Sequence, residues 1–96
     1  SRKRGMDMTE PYRSTPVFDE NTLPDALRSS HQTKEGVWGL IRILEGELKL
    51  TYVQPHSEKL LTPGNPGLVA PQQTHFVTAM GPMRMQVDFY HDPPAL

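Results

Sequence analysis

Ninety-six residues provide for one hydrophobic core and leave no room for a second catalytic domain. A net charge of −1 lacks the clustered basic face that nucleic acid requires, so no nucleic-acid partner is expected. Zero cysteines exclude disulfides, thiolate metal ligands and cysteine nucleophiles at once, and no apolar run reaches the length of a membrane span, so the expectation is a cytoplasmic protein with no membrane partner.

In chain order, residues 1–10 show no apolar periodicity and read as a flexible tail that carries the Arg2-Lys3-Arg4 cluster. A single domain is expected over residues 11–92, with a short tail at 93–96. Pro11 to Phe18 is an extended edge segment, because Pro16 has no N–H to give to a sheet. Thr22-Leu23-Pro24-Asp25 reads as a helix start of one or two turns, with Thr22 as the cap.

Val37 to Leu44 is apolar and β-branched apart from Arg42, which predicts a buried strand. Glu45-Gly46-Glu47 reads as a tight reversal, and Leu48 to Tyr52 as the returning arm of a hairpin whose other end lies near His31. Gln54 to Glu58 is turn chemistry, Lys59 to Thr62 a short strand, and Pro63 to Gly67 a sharp connection into Leu68-Val69-Ala70. His75 to Thr78 is a strand, Gly81-Pro82 a turn, and Met83 to Tyr90 the last strand. In that last strand Met85, Val87 and Phe89 share one face, while Arg84, Gln86, Asp88 and Tyr90 share the other. About seven short strands without βαβ alternation point to an all-β sandwich or barrel with one short helical turn.

Standard catalytic signatures, G-x-S-x-G, H-E-x-x-H and the glycine-rich phosphate loops, are absent. His31, His75 and Asp88 lie on three segments that a small barrel can gather at one mouth. Two imidazoles and a carboxylate form a set that takes first-row metals. Gln32 and Glu35 are within reach as oxygen donors or as partners orienting an imidazole, while Tyr12, Tyr52, Tyr90 and Trp38 are either pocket walls or core.

The run SSHQTKEGVWGLIRILEGELKL, then LTPGNPGLVAPQQTHFV, then MQVDFY resembles the TehB-like (YeaR-like) cupin family associated with tellurite resistance. The resemblance extends from about Tyr12 to Tyr90. It implies a cupin-type small β-barrel (a double-stranded, jelly-roll-like β-helix), usually a homodimer, with a metal inside the barrel. Pro71 and His75 match the second cupin motif, whereas the paired histidines and glutamate of the first motif are replaced by His31 alone, with Gly39 near the glutamate's place. Some relatives in the family continue into a methyltransferase domain that uses S-adenosylmethionine.

These readings combine into an expectation of a divalent metal (zinc, iron, nickel or manganese) held by His31, His75 and Asp88, with Gln32, Glu35, Arg42, Gln86 and Tyr90 around it. The function expected is a small metal-binding cupin-like protein linked to an oxyanion or other stress response, capturing a small molecule or oxyanion. Two alternatives stand beside it, a metal-dependent oxygenase or hydrolase and a purely structural dimeric barrel.

Overall fold

The computed structural model describes residues 10–95, and the expectations for the first nine residues and for residue 96 lie outside them. In chain order the elements are β1 (Arg13–Ser14), β2 (Phe18–Asp19), α1 (Asp25–Arg28), β3 (Trp38–Val53), β4 (His56–Leu61), β5 (Gly67–Val69) and β6 (His75–Tyr90). All six strands belong to one antiparallel sheet with the order β1-β6-β3-β4, where β2 also pairs with β6 and β5 also pairs with β3. Among the described residues the fold is therefore all-β with one turn of helix, and the sheet is open.

Two features expected as turns are interior points of long strands. β3 and β6 each run for 16 residues and pair from Trp38↔Tyr90 to Tyr52↔His75, with register shifts between Ile43 and Glu45 and between Gly46 and Leu48. Gly46 does take a positive φ of 78°, but it spends that freedom on a bulge instead of a reversal. A side chain there would collide with the Pro82 carbonyl, so the two strands cross at a point that only glycine permits. The expected hairpin at Glu45-Gly46-Glu47 and the expected turn at Gly81-Pro82 are the two sides of this irregularity, and together they bend the sheet.

Pro16 behaves as its missing donor demands. It falls in the gap between β1 and β2, two short pairings laid on β6 at Arg13↔Phe89 and Phe18↔Met85. Thr22 does not cap the helix. Its Oγ1 accepts from the Asp19 backbone N–H at 2.9 Å and donates to Asp19 Oδ1 at 3.1 Å, and Pro24 occupies the cap position without a side-chain bond. The same turn holds the Asp19 carboxyl below its usual range, first through the Asn21 N–H.

The core lies on the face of the sheet to which Val77, Met83, Met85 and Val87 of β6 belong. Leu48, Leu50, Leu61 and Met85 are wholly buried, joined by Ile41, Ile43, Val69, Val77, Met83 and Val87. Gly67 allows β5 to sit tightly on this cluster, because a Cβ at that position would lie 2.7 Å from the Leu50 Cδ2.

Candidate functional site

Part of this face of the sheet is not filled by side chains. A cavity of about 240 Å³ remains between the sheet and the residue 31–34 segment, walled by Ile41, Val69, Val77, Met85, Val87 and Phe89, with Gly39 at its floor. Gly39 presents no side chain, and this absence helps keep the space open. Polar groups enter from three places: His31, Gln32, Thr33 and Lys34 from the segment before β3, His75 from the start of β6, and Tyr12, Arg13 and Thr15 from the β1 region. No Asp or Glu lines the cavity among the described residues.

The two histidines are brought together by backbone pairing. The His31 N–H donates to the His75 carbonyl and the His75 N–H to the His31 carbonyl, both at 3.0 Å, in an isolated antiparallel bridge. The imidazole centroids then lie 4.1 Å apart with ring planes tilted by 53°. Each ring is also tied to its own chain two residues back: His31 Nδ1 lies 2.9 Å from the Ser29 carbonyl oxygen, and His75 Nδ1 lies 2.7 Å from that of Gln73. A carbonyl oxygen only accepts, so in both rings Nδ1 is the nitrogen that carries hydrogen. In the neutral ring that leaves each Nε2 as a bare lone pair, and neither makes a hydrogen bond among the described residues.

Burial pushes the His75 pKa below its ordinary value of 6.5, and the neighbouring His31 pushes the same way, so His75 is neutral at pH 7. Two other polar groups of the cavity are engaged in part. Thr33 Oγ1 donates to the Val37 carbonyl at 2.8 Å, and Gln32 Nε2 donates to Thr74 Oγ1 at 3.2 Å.

Asp88 is not part of this cavity. It follows Val87 and precedes Phe89, both of which face the cavity, so the alternation of β6 turns it to the opposite face. There its carboxylate accepts from Arg42 Nε at 2.6 Å, Arg42 Nη2 at 3.3 Å and Ser14 Oγ at 2.6 Å. Gln86 belongs to the same network, accepting from Arg42 Nη2 at 2.7 Å and donating to the Thr15 carbonyl at 2.8 Å. The carboxylate raises the Arg42 pKa above its already high value. These bonds fasten the β1 segment to β6, which is a structural task. Tyr90 lies buried on that face, where burial followed by the Asp88 charge raises its phenol pKa. Glu35 is exposed in the turn before β3 and does not line the cavity.

The expected residues thus divide into two groups. His31, His75 and Gln32 meet in the cavity, whereas Asp88, Arg42, Gln86 and Tyr90 form a separate network behind the sheet. Among the described residues no group of three or more His, Cys, Asp or Glu is placed to hold a metal ion. Sequence reasoning missed Arg13 and Lys34. Lys34 is signalled by its position three residues after His31, but the place of Arg13 is set by the long-range pairing with Phe89 and has no local signal.

The TehB-like domain family matches residues 13–87, which include both histidines and all of the cavity-lining residues except Tyr12 and Phe89. This chain belongs to the TehB-like family. Over 74 residues it is 32% identical to the probable S-adenosyl-L-methionine-dependent methyltransferase TehB of Haemophilus influenzae (strain Rd), an alignment covering 72% of this chain and 26% of that protein. The same-named protein of Haemophilus influenzae strain 10810 is 31% identical over 74 residues. The crystal structure of TehB from Haemophilus influenzae superposes with a TM-score of 0.75 at 29% identity, covering 82% of this chain and 30% of that one. A protein of known structure from Escherichia coli K12 shares the fold with a TM-score of 0.77 at 24% identity, covering 90% of this chain and 85% of that one.

The TehB-like domain therefore spans about a quarter of the length of the curated relatives it matches. These matches and the geometry correct the metal expectation. The relatives are named for S-adenosylmethionine, not for a divalent metal, and the third ligand of the anticipated set is spent on an arginine behind the sheet. The reading of a metal-binding cupin, and the zinc, iron, nickel or manganese cofactor with it, is overturned.

Proposed function

We propose that this TehB-like domain is a small-molecule-binding β module, and that methyl transfer in its longer relatives is the work of the sequence beyond the stretch it matches. The observation that carries this reading is the His31–His75 cavity, where two Nε2 nitrogens stand without a hydrogen bond among the described residues beside an apolar wall of Ile41, Val69, Val77, Met85, Val87 and Phe89. Pockets that bind small molecules have this composition, apolar walls with a few convergent polar groups. The size argues against S-adenosylmethionine as occupant, since about 240 Å³ falls below the roughly 300–1,000 Å³ of sites for drug-sized ligands.

The same proposal includes a cupin-type curvature, supported by the bend at Gly46, and a homodimer, supported by Val53 and Leu60, exposed apolar residues that share one face of the β3–β4 pair. A cytoplasmic setting accords with a sequence free of cysteine. No helix among the described residues is long and apolar enough to cross a membrane.

The test is a methyl-region NMR titration with benzene, phenol, isobutanol and S-adenosylmethionine. The expected result is saturable shifts at Val69, Val77 and Met85 with at least one of the three small solutes, and none there with S-adenosylmethionine. Unmoved methyls throughout, or saturation of the cavity by S-adenosylmethionine, would overturn the reading.

A further inference from the structure

The chemistry of the cavity specifies more than its size. Both Nδ1 hydrogens are donated to backbone carbonyls, at Ser29 and Gln73. An imidazole whose single hydrogen is held at Nδ1 cannot offer one from Nε2 without giving up that bond. The pair therefore presents two acceptors and no donor. Of the other donors in the lining, Thr33 Oγ1 and one Gln32 amide hydrogen are donated elsewhere, while Tyr12, Arg13 and Lys34 border the space with hydrogens of their own. The charged groups of the lining are Arg13 from β1, whose guanidinium lies over the Phe89 ring, and Lys34 from the segment before β3, both exposed cations. Tyr52, the β3 partner of His75, donates its hydroxyl to the Leu68 carbonyl and takes no part.

We propose that the cavity selects its ligand by one uncharged X–H bond, an O–H or S–H, on a small apolar body. The step rests on the binding role given above and names its ligand class. An ammonium group also donates, but the described lining carries two cations, Arg13 and Lys34, and no carboxylate to compensate its charge. A neutral phenol, thiol or alcohol meets all three conditions: it donates to Nε2, it packs its body on Val69, Val77, Met85, Val87 and Phe89, and it brings no positive charge. The space, about 240 Å³, exceeds the roughly 150 Å³ of an apolar cavity that binds benzene, which suits a single-ring solute.

This preference has a consequence for methyl transfer. A methyl acceptor enters as X–H. Its X lone pair attacks the methyl carbon of a sulfonium donor, the carbon–sulfur bond breaks to leave a neutral thioether, and the hydrogen departs as a proton to solvent or base. The product X–CH₃ has lost the hydrogen that the imidazoles read, while its apolar body is larger. The module therefore retains the unmethylated acceptor and releases the methylated product.

Phenol and anisole differ by this change alone, so the experiment titrates each, and benzylammonium, into the chain at pH 7.5 and follows the Val69, Val77 and Met85 methyl signals. Phenol is expected to bind about three- to tenfold more tightly than anisole, the worth of one net hydrogen bond, with benzylammonium weaker than both. In His31→Phe with His75→Phe the preference falls to about one while both solutes still bind. If the double variant does not fold, His31→Phe alone, at the more open of the two positions, is expected to reduce the ratio. Anisole binding the wild-type chain as well as phenol, or benzylammonium binding best, overturns the X–H inference and leaves the cavity a binding site. If no solute shifts any of these methyls, the binding reading itself falls.

Discussion

Asp88→Asn separates a structural carboxylate from a ligand-binding one. The Asp88 side chain is 7% exposed and accepts three hydrogen bonds, two of them from the Arg42 guanidinium. An asparagine of nearly the same shape keeps one acceptor oxygen, but it turns an NH₂ toward either Arg42 or Ser14. A hydrogen bond to a charged group contributes about 1.5–3 kcal/mol, and breaking a fully buried pair costs about 3–5 kcal/mol. Arg42 is 39% exposed, so water recovers much of the charge it leaves behind and the larger figure does not apply. The expected loss is about 2 kcal/mol. For a domain of this size that corresponds to a fall in Tm of roughly 10 °C. Urea denaturation gives the first value and a thermal melt the second. Because Asp88 sits behind the sheet, phenol affinity is expected to remain that of the wild type under conditions where the variant is folded. A loss of stability below about 0.5 kcal/mol, or a loss of phenol binding in the folded variant, would refute the structural assignment.

Thr51 is 3% exposed, and its Oγ1 is buried without a hydrogen-bond partner among the described residues. Thr51→Val is therefore expected to stabilise the fold by about 1 kcal/mol, read as a higher urea midpoint at unchanged m-value, and a destabilisation would show that the hydroxyl has a partner. Gly67→Ala brings a Cβ to 2.7 Å from Leu50 Cδ2 and 3.0 Å from Leu61 Cδ1, so an overpacking loss of about 1–3 kcal/mol is expected in the same assay, and a neutral result would mean that both leucines yield freely. The His75 pKa is lower in the folded chain than its ordinary 6.5. The unfolded chain thus binds more protons in the window just below 6.5, and stability is fully present above that value and lost as pH falls toward the folded-state pKa. Urea midpoints from about pH 8 to about pH 5 should decline more steeply for wild type than for His75→Phe, and parallel curves would count against a buried neutral imidazole.

Much of the fold is written in short-range pattern. The apolar β-branched run before Leu44, the clean alternation after Met83 and the proline between Arg13 and Phe18 appear in the structure as a buried strand, a two-faced strand and an interrupted edge. Gly46 and Gly81 were misleading for a physical reason. A glycine with positive φ serves a tight turn and a bulge equally well, and only the partner strand decides between them. With Gly46 read as a reversal, β3 divides into two arms; with β6 laid beside it, the chain continues and bends.

The fate of the anticipated metal set follows from the same point. If Gly81-Pro82 were a turn, His75 and Asp88 would lie on different strands, and nothing in the sequence would forbid their meeting. In the continuous β6 they are an odd number of residues apart, and the alternation that sends Val77, Met85 and Val87 into the cavity sends Asp88 away from it. His31 and His75 still meet, through a backbone bridge between distant segments. Their local tethers to Ser29 and Gln73 then settle which nitrogen each ring shows. What the sequence lists as a possible two-histidine, one-carboxylate set is, in the folded chain, a pair of imidazoles tethered through Nδ1 on one face and an arginine-bound carboxylate on the other. The first arrangement can read a hydrogen on a small ligand, and the second holds the β1 segment in place beside it.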